Sequence, residues 1–423
     1  MTQDIKDSLL NAKDERIKKR QAFSRNHATT IALSVNQPGW PKNTQSTRII
    51  LKIFDHLITK MFKITGLEHY RSLAGDTVFY GLNTHPKEVK NQTVYIETNH
   101  PLGRFIDIDI YDANQTYTRQ MMTLPQRQCY LCDAPAHACA AMQKHSVETL
   151  RTTLDKRVKI YLLDALSEAA AMALRKELAL YPKFGLVSFH DSGVHTDMHA
   201  GHFLTSIEAI KPYFKDLIAH GLQSIDVDHL RELGKHAEHA MFEATNDINT
   251  HKGAIFIFGS FLPFYTQAIL EDKPFSEALK KMQEAMRELI AYDVDKINEE
   301  GPASFGEQCY VNYGILGIRG EVKNGFPSIQ SWYKKHPYND YQKLLKIASV
   351  LDDTTIIKRT NYETLRKFQY DCKQFLKTPF SHQAYTNFSD YYRNYHVSPG
   401  GAADILALSF FLEMTDFLLK NSP

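Results

Sequence analysis

The spacing of apolar residues changes part-way along this 423-residue chain, and the change restricts the folds that it can adopt. Up to about residue 146, alternating segments typical of strands are mixed with segments of helical spacing. From there onward, apolar stripes recur at intervals of three and four residues, as in packed helices. We therefore predict two domains, an N-terminal α+β domain over residues 1–158 and a C-terminal all-α domain over residues 159–423.

Individual segments carry clear signals. In the N-terminal domain the pattern predicts helices over residues 8–22 and 49–64, and strands over residues 28–36, 93–98 and 105–112. In the C-terminal domain it predicts helices over residues 150–180, 227–244 and 279–290. The short apolar run at residues 254–258 fits either a strand or a helix. Strand signals are therefore nearly confined to the first domain.

Charge and cysteine content narrow the classes of function. The 50 basic and 48 acidic residues give a net charge of only +2, which disfavours nucleic acid as a partner but allows a local phosphate pocket. Five cysteines and a charged N-terminal segment indicate a reducing compartment. The most apolar stretch, residues 400–419, contains three acidic residues and indicates a buried helix. We therefore expect a cytoplasmic protein without a membrane partner.

A pair of carboxylates lies in the alternating segment at residues 105–112. Asp107 and Asp109 alternate with isoleucines, so on a strand both would face one side, about 7 Å apart. Two such carboxylates can hold Mg²⁺ together with substrate phosphates, and Gly103-Arg104 directly before them offers a cation for a phosphate. An amphipathic strand with an acidic, solvent-facing side explains the pattern equally well.

Three cysteines and a histidine follow in the order Cys129, Cys132, Cys139 and His145. Three thiolates and one imidazole can complete a tetrahedral zinc site. Only the first pair has a familiar ligand spacing, however, and cysteine is also a common small core residue. The sequence therefore leaves structural zinc and ordinary core packing as alternatives.

Four segments of the second half combine small, polar and charged residues unusually densely, at residues 188–198, 245–253, 313–328 and 398–404. Each lies where a helix is predicted to begin or end. Exposed backbone amides and glycine at such places suit a phosphate, although a simple cap or turn explains any single segment. The residues that we predict to bind substrate or phosphate here are His190, Asp191, Gly193, Asn249, Thr250, Lys252, Gly253, Arg319, Glu321, Ser398, Gly400 and Gly401.

The motif Gly103-Arg104-x-x-Asp107-x-Asp109 resembles the signature of the apo-citrate lyase phosphoribosyl-dephospho-coenzyme A transferases. Residues 9–20, 35–39 and 127–145 resemble that family as well, so the likeness covers about residues 8–150. It implies a nucleotidyltransferase-like domain that passes its group to a serine of the citrate lyase acyl carrier protein (gamma subunit) and releases pyrophosphate. Asp107 and Asp109 would hold the metal, and Arg104 a phosphate.

The four dense segments resemble the signature blocks of the triphosphoribosyl-dephospho-coenzyme A synthases, from about residue 160 to the C-terminus. The blocks are His-Asp-Ser-Gly-x-His-x-Asp-Met from His190, Asn-Thr-His-Lys-Gly from Asn249, Gly-Ile-Arg-Gly-Glu from Gly317 and Ser-Pro-Gly-Gly-x-Ala-Asp from Ser398. The resemblance implies condensation of ATP with 3′-dephospho-coenzyme A and release of adenine. Departures at Phe189, at Asn246-Asp247 and over residues 351–360 concern loop shape and spare the charged residues.

Glycosyl transfer at the ATP ribose needs acid–base groups, because its transition state has oxocarbenium character. From side-chain chemistry we expect His195 and His251 to act as acid and base. Asp191, Asp197 and Asp404 suit Mg²⁺ or the base role, while Lys252 and Arg319 suit phosphates. The resulting hypothesis is a two-enzyme fusion that makes the citrate lyase prosthetic group and attaches it. Two alternatives are prosthetic-group synthesis for malonate decarboxylase and a non-catalytic chaperone for the cofactor or carrier.

Overall fold

The computed structural model describes residues 3–419 and contains two compact units. Unit 1 comprises the chain up to Leu162 together with Leu270–Asp272, and unit 2 comprises the remainder. Unit 1 mixes a small sheet with helices, whereas the described residues of unit 2 form helices and no strand. This two-part architecture agrees with the predicted order of an α+β domain followed by an all-α domain.

The sheet of unit 1 has five strands and is antiparallel throughout. Its spatial order is β2-β3-β1-β4-β5. The register places Ser34 of the central strand opposite Asp107 and Ala32 opposite Asp109. The strands are β1 (Thr29–Val35), β2 (Gly66–Tyr70), β3 (Thr77–Leu82), β4 (Ile106–Tyr111) and β5 (Thr116–Tyr117).

Helices cover this sheet and lead into unit 2. Thr44 caps the second helix and forms a reciprocal capping box with Thr47, after which apolar residues at helical spacing are buried. Two short 3₁₀ turns, Gly103–Phe105 and Gln120–Met122, flank β4 and β5. The helices are α1 (Gln3–Ser24), α2 (Gln45–Met61), α3 (Pro86–Asn99), α4 (Ala136–Ala141) and α5 (Val147–Ala179).

The strand predicted over residues 93–98 is wrong, because these residues form the last two turns of α3. The helix begins upstream, where His85 caps the amide of Lys87 and Pro86 occupies the first turn. Thr93 and Val94 are buried on the face that packs against β4. Burial of this face therefore outweighs the preference of β-branched residues for strands.

Up to residue 419, unit 2 contains the second part of α5, twelve further helices and the 3₁₀ turn Asp416–Leu418. The run 254–258, which fits strand or helix by sequence, is helical. The helices are α6 (Ala200–Gly221), α7 (Val227–Ala244), α8 (Lys252–Glu271), α9 (Phe275–Glu300), α10 (Phe305–Tyr313), α11 (Ile318–Lys323), α12 (Pro327–Gln330), α13 (Asp340–Ala348), α14 (Thr354–Arg359), α15 (Tyr362–Phe375), α16 (His382–Asn394) and α17 (Gly400–Thr415).

Helix α8 is buried along most of its length. By length and composition it is the one helix within residues 3–419 that could cross a membrane, and 78% of its apolar window is buried inside the protein. The sequence had instead indicated residues 400–419 as the most apolar stretch. Helix α17 lies in that stretch, and most of its residues between Gly401 and Thr415 are also buried. Both helices therefore use their apolar surface for packing within unit 2.

Candidate active sites

The carboxylate pair of unit 1 lies on one face of β4, as the alternation predicts. Ile106, Ile108 and Ile110 are at most 1% exposed and point into the core. Asp107 and Asp109 lie on the opposite face, and the Asp107 side chain is 46% exposed. The strand thus presents two adjacent carboxylates at the surface of a rigid sheet.

A third carboxylate, which the sequence did not suggest, joins this pair. Glu97 on α3 is 3% exposed, and its Oε1 accepts hydrogen bonds from the Ile108 amide at 3.1 Å and from Arg127 Nη2 at 2.6 Å. Arg119 donates to its other oxygen. Arg127 also donates to Asp107 at 3.2 Å. Two carboxylates, Glu97 and Asp107, and two guanidinium groups therefore form one network beside Asp109.

Asp109 lies close to the charges of this network. Its pKa is raised to about 6, first by burial and then by the charges of Asp107 and Glu97, while Lys90 and Arg127 oppose the rise. Lys90 is itself buried, donates to the Ile108 carbonyl at 2.9 Å, and has its pKa lowered by burial. A divalent cation between Asp107 and Asp109 would relieve the repulsion, so the donor set fits Mg²⁺.

Gly103 and Arg104 form the turn that leads into β4. A Cβ on Gly103 would lie 2.5 Å from the Glu97 carbonyl oxygen, so the close approach of α3 requires glycine. Arg104 Nη2 donates to the Cys129 carbonyl at 3.0 Å. Its Nε is buried and has no hydrogen-bond partner among the described residues. The guanidinium thus retains a free donor for a further acceptor.

The four predicted zinc ligands lie together. The ligand atoms of Cys129, Cys132, Cys139 and His145 are all within 4.8 Å of one another, and no other such group of three or more occurs within residues 3–419. Cys132 Sγ is 3.9 Å from Cys139 Sγ and 3.3 Å from His145 Nε2. Zinc–sulfur bonds of about 2.3 Å place tetrahedral ligands at about this separation. The residues therefore fit a zinc ion.

Unit 2 contains a cavity of about 790 Å³. Three of the four dense segments of the sequence converge on it, although they are separated by about 60 and 150 residues along the chain. The starts of α8 and α17 lie at its wall. The predicted site residues that line it are His195, Asp197, Asn249, Thr250, His251, Lys252, Gly253, Ser398, Gly400, Gly401 and Asp404.

Asp404 lies on α17, and its carboxylate reaches the first turn of α8. Its carboxylate accepts a hydrogen bond from the Ala254 amide, and burial raises its pKa well above the ordinary value, with further contributions from Glu177 and Asp353. Glu177 and Asp353 line the same cavity, and sequence reasoning missed both. The charge of Glu177 is neutralised by the buried Lys183, 2.6 Å away. Of the three carboxyl groups, Asp404 therefore has the fewest contacts that compensate a negative charge.

Asp353 joins two of the cavity's segments. It caps α14 by accepting from the Thr355 amide at 2.9 Å, and its other oxygen accepts from the Ala402 amide at 3.0 Å. The Thr355 hydroxyl accepts from the Gly400 amide at 2.8 Å. Residues 353 and 355 thus hold the start of α17 in place. From the sequence, the stretch 351–360 was interpreted only as a departure in loop shape.

Two of the three histidines that line the cavity, His195 and His251, are neutral near pH 7. His195 Nδ1 lies 2.8 Å from Arg359 Nη2, which can only donate, so its proton is on Nε2, 3.0 Å from Ser398 Oγ. Burial and the Arg359 charge lower the pKa of His195 to about 4. Burial lowers the pKa of His251 to about 3, and its Nδ1 lies 2.7 Å from Ser206 Oγ. Neither imidazole therefore carries the extra proton expected of a resident general acid.

Comparison with known proteins identifies the family of the larger unit. Residues 163–422, more than half of the chain, match the family described as ATP:dephospho-CoA triphosphoribosyl transferase. The chain belongs to this family. Residues 5–161 match a second family, apo-citrate lyase phosphoribosyl-dephospho-CoA transferase. A triphosphoribosyl transferase of this kind is therefore joined to a transferase acting on apo-citrate lyase, as the resemblances in the sequence predict.

Relatives show the same arrangement. "Protein CitXG" of Haemophilus influenzae is 27% identical over 445 residues, covering 96% of this chain and 95% of the relative. "Protein CitXG" of Leuconostoc mesenteroides is 28% identical and covers 94% of each chain. A probable 2-(5''-triphosphoribosyl)-3'-dephosphocoenzyme-A synthase of Streptococcus mutans is 32% identical over 292 residues, covering 61% of this chain and 98% of the relative. The chain is thus a bifunctional transferase, and neither the chaperone nor the malonate decarboxylase alternative is supported by these matches.

Cations also line the cavity of the triphosphoribosyl transferase unit. Lys252 is 54% exposed and pairs with Glu238 at 2.9 Å. Lys358 and Arg359, both in the last turn of α14, face the same cavity. The sequence predicted Lys252 alone of these three. The sequence offered one signal for Lys358 and Arg359, because they follow the acidic residues Asp352 and Asp353 by six residues.

Three predicted site residues from the first dense segment have structural partners outside the cavity. Asp191 pairs with Arg393 at 2.7 Å and accepts from the Gly193 amide at 2.8 Å, so it closes a turn. Gly193 has a φ of +61°, and a Cβ there would lie 2.1 Å from the Gly185 carbonyl oxygen. His190 packs its ring against Tyr181. This segment contributes only residues 195, 197 and 198 to the cavity wall.

The third dense segment contributes only Ile318 to the cavity wall. Arg319 lies within 3.7 Å of Asp293 and 3.6 Å of Glu307 rather than at that wall. Glu321 is 6% exposed and accepts from the Ser328 hydroxyl at 2.6 Å, which fixes the following turn. The predicted phosphate-binding role of these two residues therefore has no counterpart in the wall of the 790 Å³ cavity.

Proposed function

We propose that the synthase reaction takes place in the unit 2 cavity. The observation that supports this most strongly is the convergence of residues 195–198, 247–253 and 398–404 on one cavity that also holds three cations. A triphosphate carries several negative charges, which Lys252, Lys358 and Arg359 would compensate. ATP and 3′-dephospho-coenzyme A would fill the remaining volume of the cavity.

Asp404 is the proposed proton acceptor of this reaction. The 2′-hydroxyl of dephospho-coenzyme A forms a bond to C1 of the ATP ribose, the bond from C1 to adenine breaks, and the triphosphate stays intact. The hydroxyl loses one proton and adenine gains one, so the exchange is balanced. A carboxyl group with a raised pKa suits this step, because it can take a proton near neutral pH. His195, as a neutral imidazole, would orient Ser398, and Asp197 beside it would contribute to Mg²⁺ binding.

In unit 1 we propose that Asp107 and Asp109 hold Mg²⁺ in a nucleotidyltransferase-like site. The metal would neutralise the phosphates of the incoming intermediate. The serine hydroxyl of the citrate lyase acyl carrier protein then bonds to the phosphorus nearest the ribose, and pyrophosphate leaves. Arg104, which retains a buried free donor, and Arg127 are the proposed phosphate contacts.

We also propose that the four-residue cluster at Cys129 binds one structural zinc ion, because its ligand types and separations fit tetrahedral coordination. Three free thiols in such a site require a reducing compartment, which favours the cytoplasm. We place the transferase domain at residues 1–158 and the synthase domain at residues 159–423. The near-zero net charge supports partners of small-molecule and carrier-protein type rather than nucleic acid.

Intact-mass spectrometry of the apo carrier protein tests both proposals at once. The carrier is incubated with this protein, Mg²⁺, ATP and 3′-dephospho-coenzyme A, while adenine and pyrophosphate are measured. We expect a mass gain equal to phosphoribosyl-dephospho-coenzyme A, with one adenine and one pyrophosphate per modified carrier. Adenine release without a mass gain would overturn the carrier assignment, and the absence of both would overturn the proposed use of the cavity.

A further inference from the structure

The segment after β5 folds back on itself and brings the cysteine cluster near the carboxylate network. The Cys129 amide donates to the Ala134 carbonyl at 2.8 Å, and the Ala136 amide donates to the Arg127 carbonyl at 2.8 Å. Gln128 and Pro135 form a bridge between these bonds. Residues 127–136 are therefore a hairpin, hereafter the cysteine hairpin, with Cys132 in its turn.

The cysteine hairpin supplies two contacts to the transferase site. At its first residue, the Arg127 guanidinium reaches Asp107 at 3.2 Å and Glu97 at 2.6 Å. Two residues later, the Cys129 carbonyl accepts from Arg104 Nη2 at 3.0 Å. Both arginines proposed to contact phosphate thus take their position from this hairpin.

The four cluster residues tie the hairpin to the helices that follow it. Cys129 and Cys132 belong to the hairpin, Cys139 lies on α4, and His145 directly precedes α5. Without a metal the described backbone bonds of the hairpin are few, and its large side chains, Tyr130 and Leu131, are only partly buried, with the Tyr130 ring against Phe105. A tetrahedral ion would instead fix both ends of the turn to two helices.

We infer that zinc bound at this cluster is a positioning element of the transferase site, which holds Arg104 and Arg127 for the phosphates of the intermediate. This inference rests on the proposed function of unit 1. Zinc takes no part in the chemistry; the four ligands leave no open coordination position for substrate. Its effect passes through the Cys129 carbonyl and the backbone of Arg127.

Zinc removal and return on the wild-type protein tests the inference without a mutation. Metal content is measured by mass spectrometry, and transfer is assayed with supplied triphosphoribosyl-dephospho-coenzyme A, apo carrier and saturating Mg²⁺. We expect one zinc per chain. Its removal should lower kcat/KM for transfer at least tenfold, with a raised KM for the intermediate, and added zinc should restore it. Adenine release by unit 2 should stay within twofold, and circular dichroism should show that the secondary structure of the whole chain is retained.

Variants distinguish a positioning role of zinc from a general effect of zinc on the stability of the protein. Cys132→Ser should lose zinc and transfer activity, whereas Cys309→Ser, at a buried cysteine of α10, should lose neither. In an Arg104→Gln background, Cys132→Ser should lower transfer by a smaller factor than it does in the wild type, because one of the two guanidinium groups that zinc positions is already absent. Hydrogen exchange at the amides of Cys129 and Ala136 should quicken when zinc is removed.

Each contrary result overturns a distinct statement. A wild-type protein without zinc would overturn the metal site. Full transfer activity after zinc removal, or full additivity of the two changes, would overturn the positioning role. If the untreated protein held zinc but did not modify the carrier, the proposed function of unit 1 would fail. In that case, unchanged hydrogen exchange at the Cys129 and Ala136 amides on zinc removal would also show that zinc does not hold the hairpin in place.

Discussion

Gly253 lies directly against Asp404: a Cβ built on Gly253 would be 1.9 Å from Asp404 Oδ2. The carboxylate reaches the first turn of α8 because position 253 has no side chain, and there it accepts from the Ala254 amide. The backbone at Gly253 is not in the left-handed region, so glycine is needed here for space alone. Asp404 and the start of α8 therefore share one site.

Gly253→Ala should impair the synthase reaction without affecting carrier transfer. The added methyl group must displace Asp404 from the helix start, and a displacement of about 1 Å costs on the order of a hundredfold in rate. Adenine release from ATP and 3′-dephospho-coenzyme A measures the loss. Gly306→Ala is the matched control, because a Cβ there meets no atom within 4 Å. Equal rates for both variants would show that Asp404 does not act from this position.

Asp404→Asn should lower adenine release by a factor of about 10² to 10⁴, the usual contribution of a general base. In the wild type the base must be deprotonated, and burial raises its pKa, with Glu177 and Asp353 adding to the effect. Adenine release should therefore fall as pH decreases through this raised pKa, and the variant should lack that dependence. A wild-type rate that does not change between pH 5 and pH 8 would contradict the assignment.

The sequence predicts those features that depend on neighbouring residues. Strict alternation at residues 106–111 correctly gave β4 and the common face of Asp107 and Asp109. The same reasoning misassigned residues 93–98, because the start of α3 lies upstream at His85, and it consequently missed Glu97. Local composition also marked the cavity segments near residues 195, 250 and 400, but their convergence depends on helix packing between distant residues, which composition does not encode.

Asp191 differs from the other aspartates predicted for the synthase site, Asp197 and Asp404, because it does not line the cavity. It pairs with Arg393 and closes the turn at Gly193, away from the cavity wall. Asp191→Asn keeps an acceptor for the Gly193 amide but loses the ion pair, so we expect a cost of about 0.5–1 kcal/mol in unfolding free energy. Adenine release should stay within threefold of wild type. A hundredfold loss of rate with unchanged thermal stability would instead assign Asp191 to the chemistry.

Lys252→Ala should weaken triphosphate binding in unit 2 and leave unit 1 unaffected. The side chain lines the cavity and is half exposed, with Glu238 as its described partner. We expect a KM for ATP raised at least about tenfold, consistent with loss of one charge-assisted hydrogen bond. Carrier modification with supplied intermediate should proceed at the wild-type rate. A simultaneous loss of both activities in a folded protein would contradict two separate active sites.

Asp109→Asn should stabilise the metal-free protein while it abolishes carrier transfer. The pKa of Asp109 is raised to about 6 in the folded state, so folding favours its protonated form. Stability of the wild type is therefore lost as pH rises from about 4 to 6, and the neutral amide avoids that loss. Since the side chain is partly exposed, we expect a gain of only about 1 kcal/mol at pH 7.5, vanishing near pH 4. Calorimetry with chelator measures it, with the exposed Asp14→Asn as control. A variant that is less stable than wild type at pH 7.5 would show that the carboxylate is held by favourable contacts rather than kept in place for Mg²⁺.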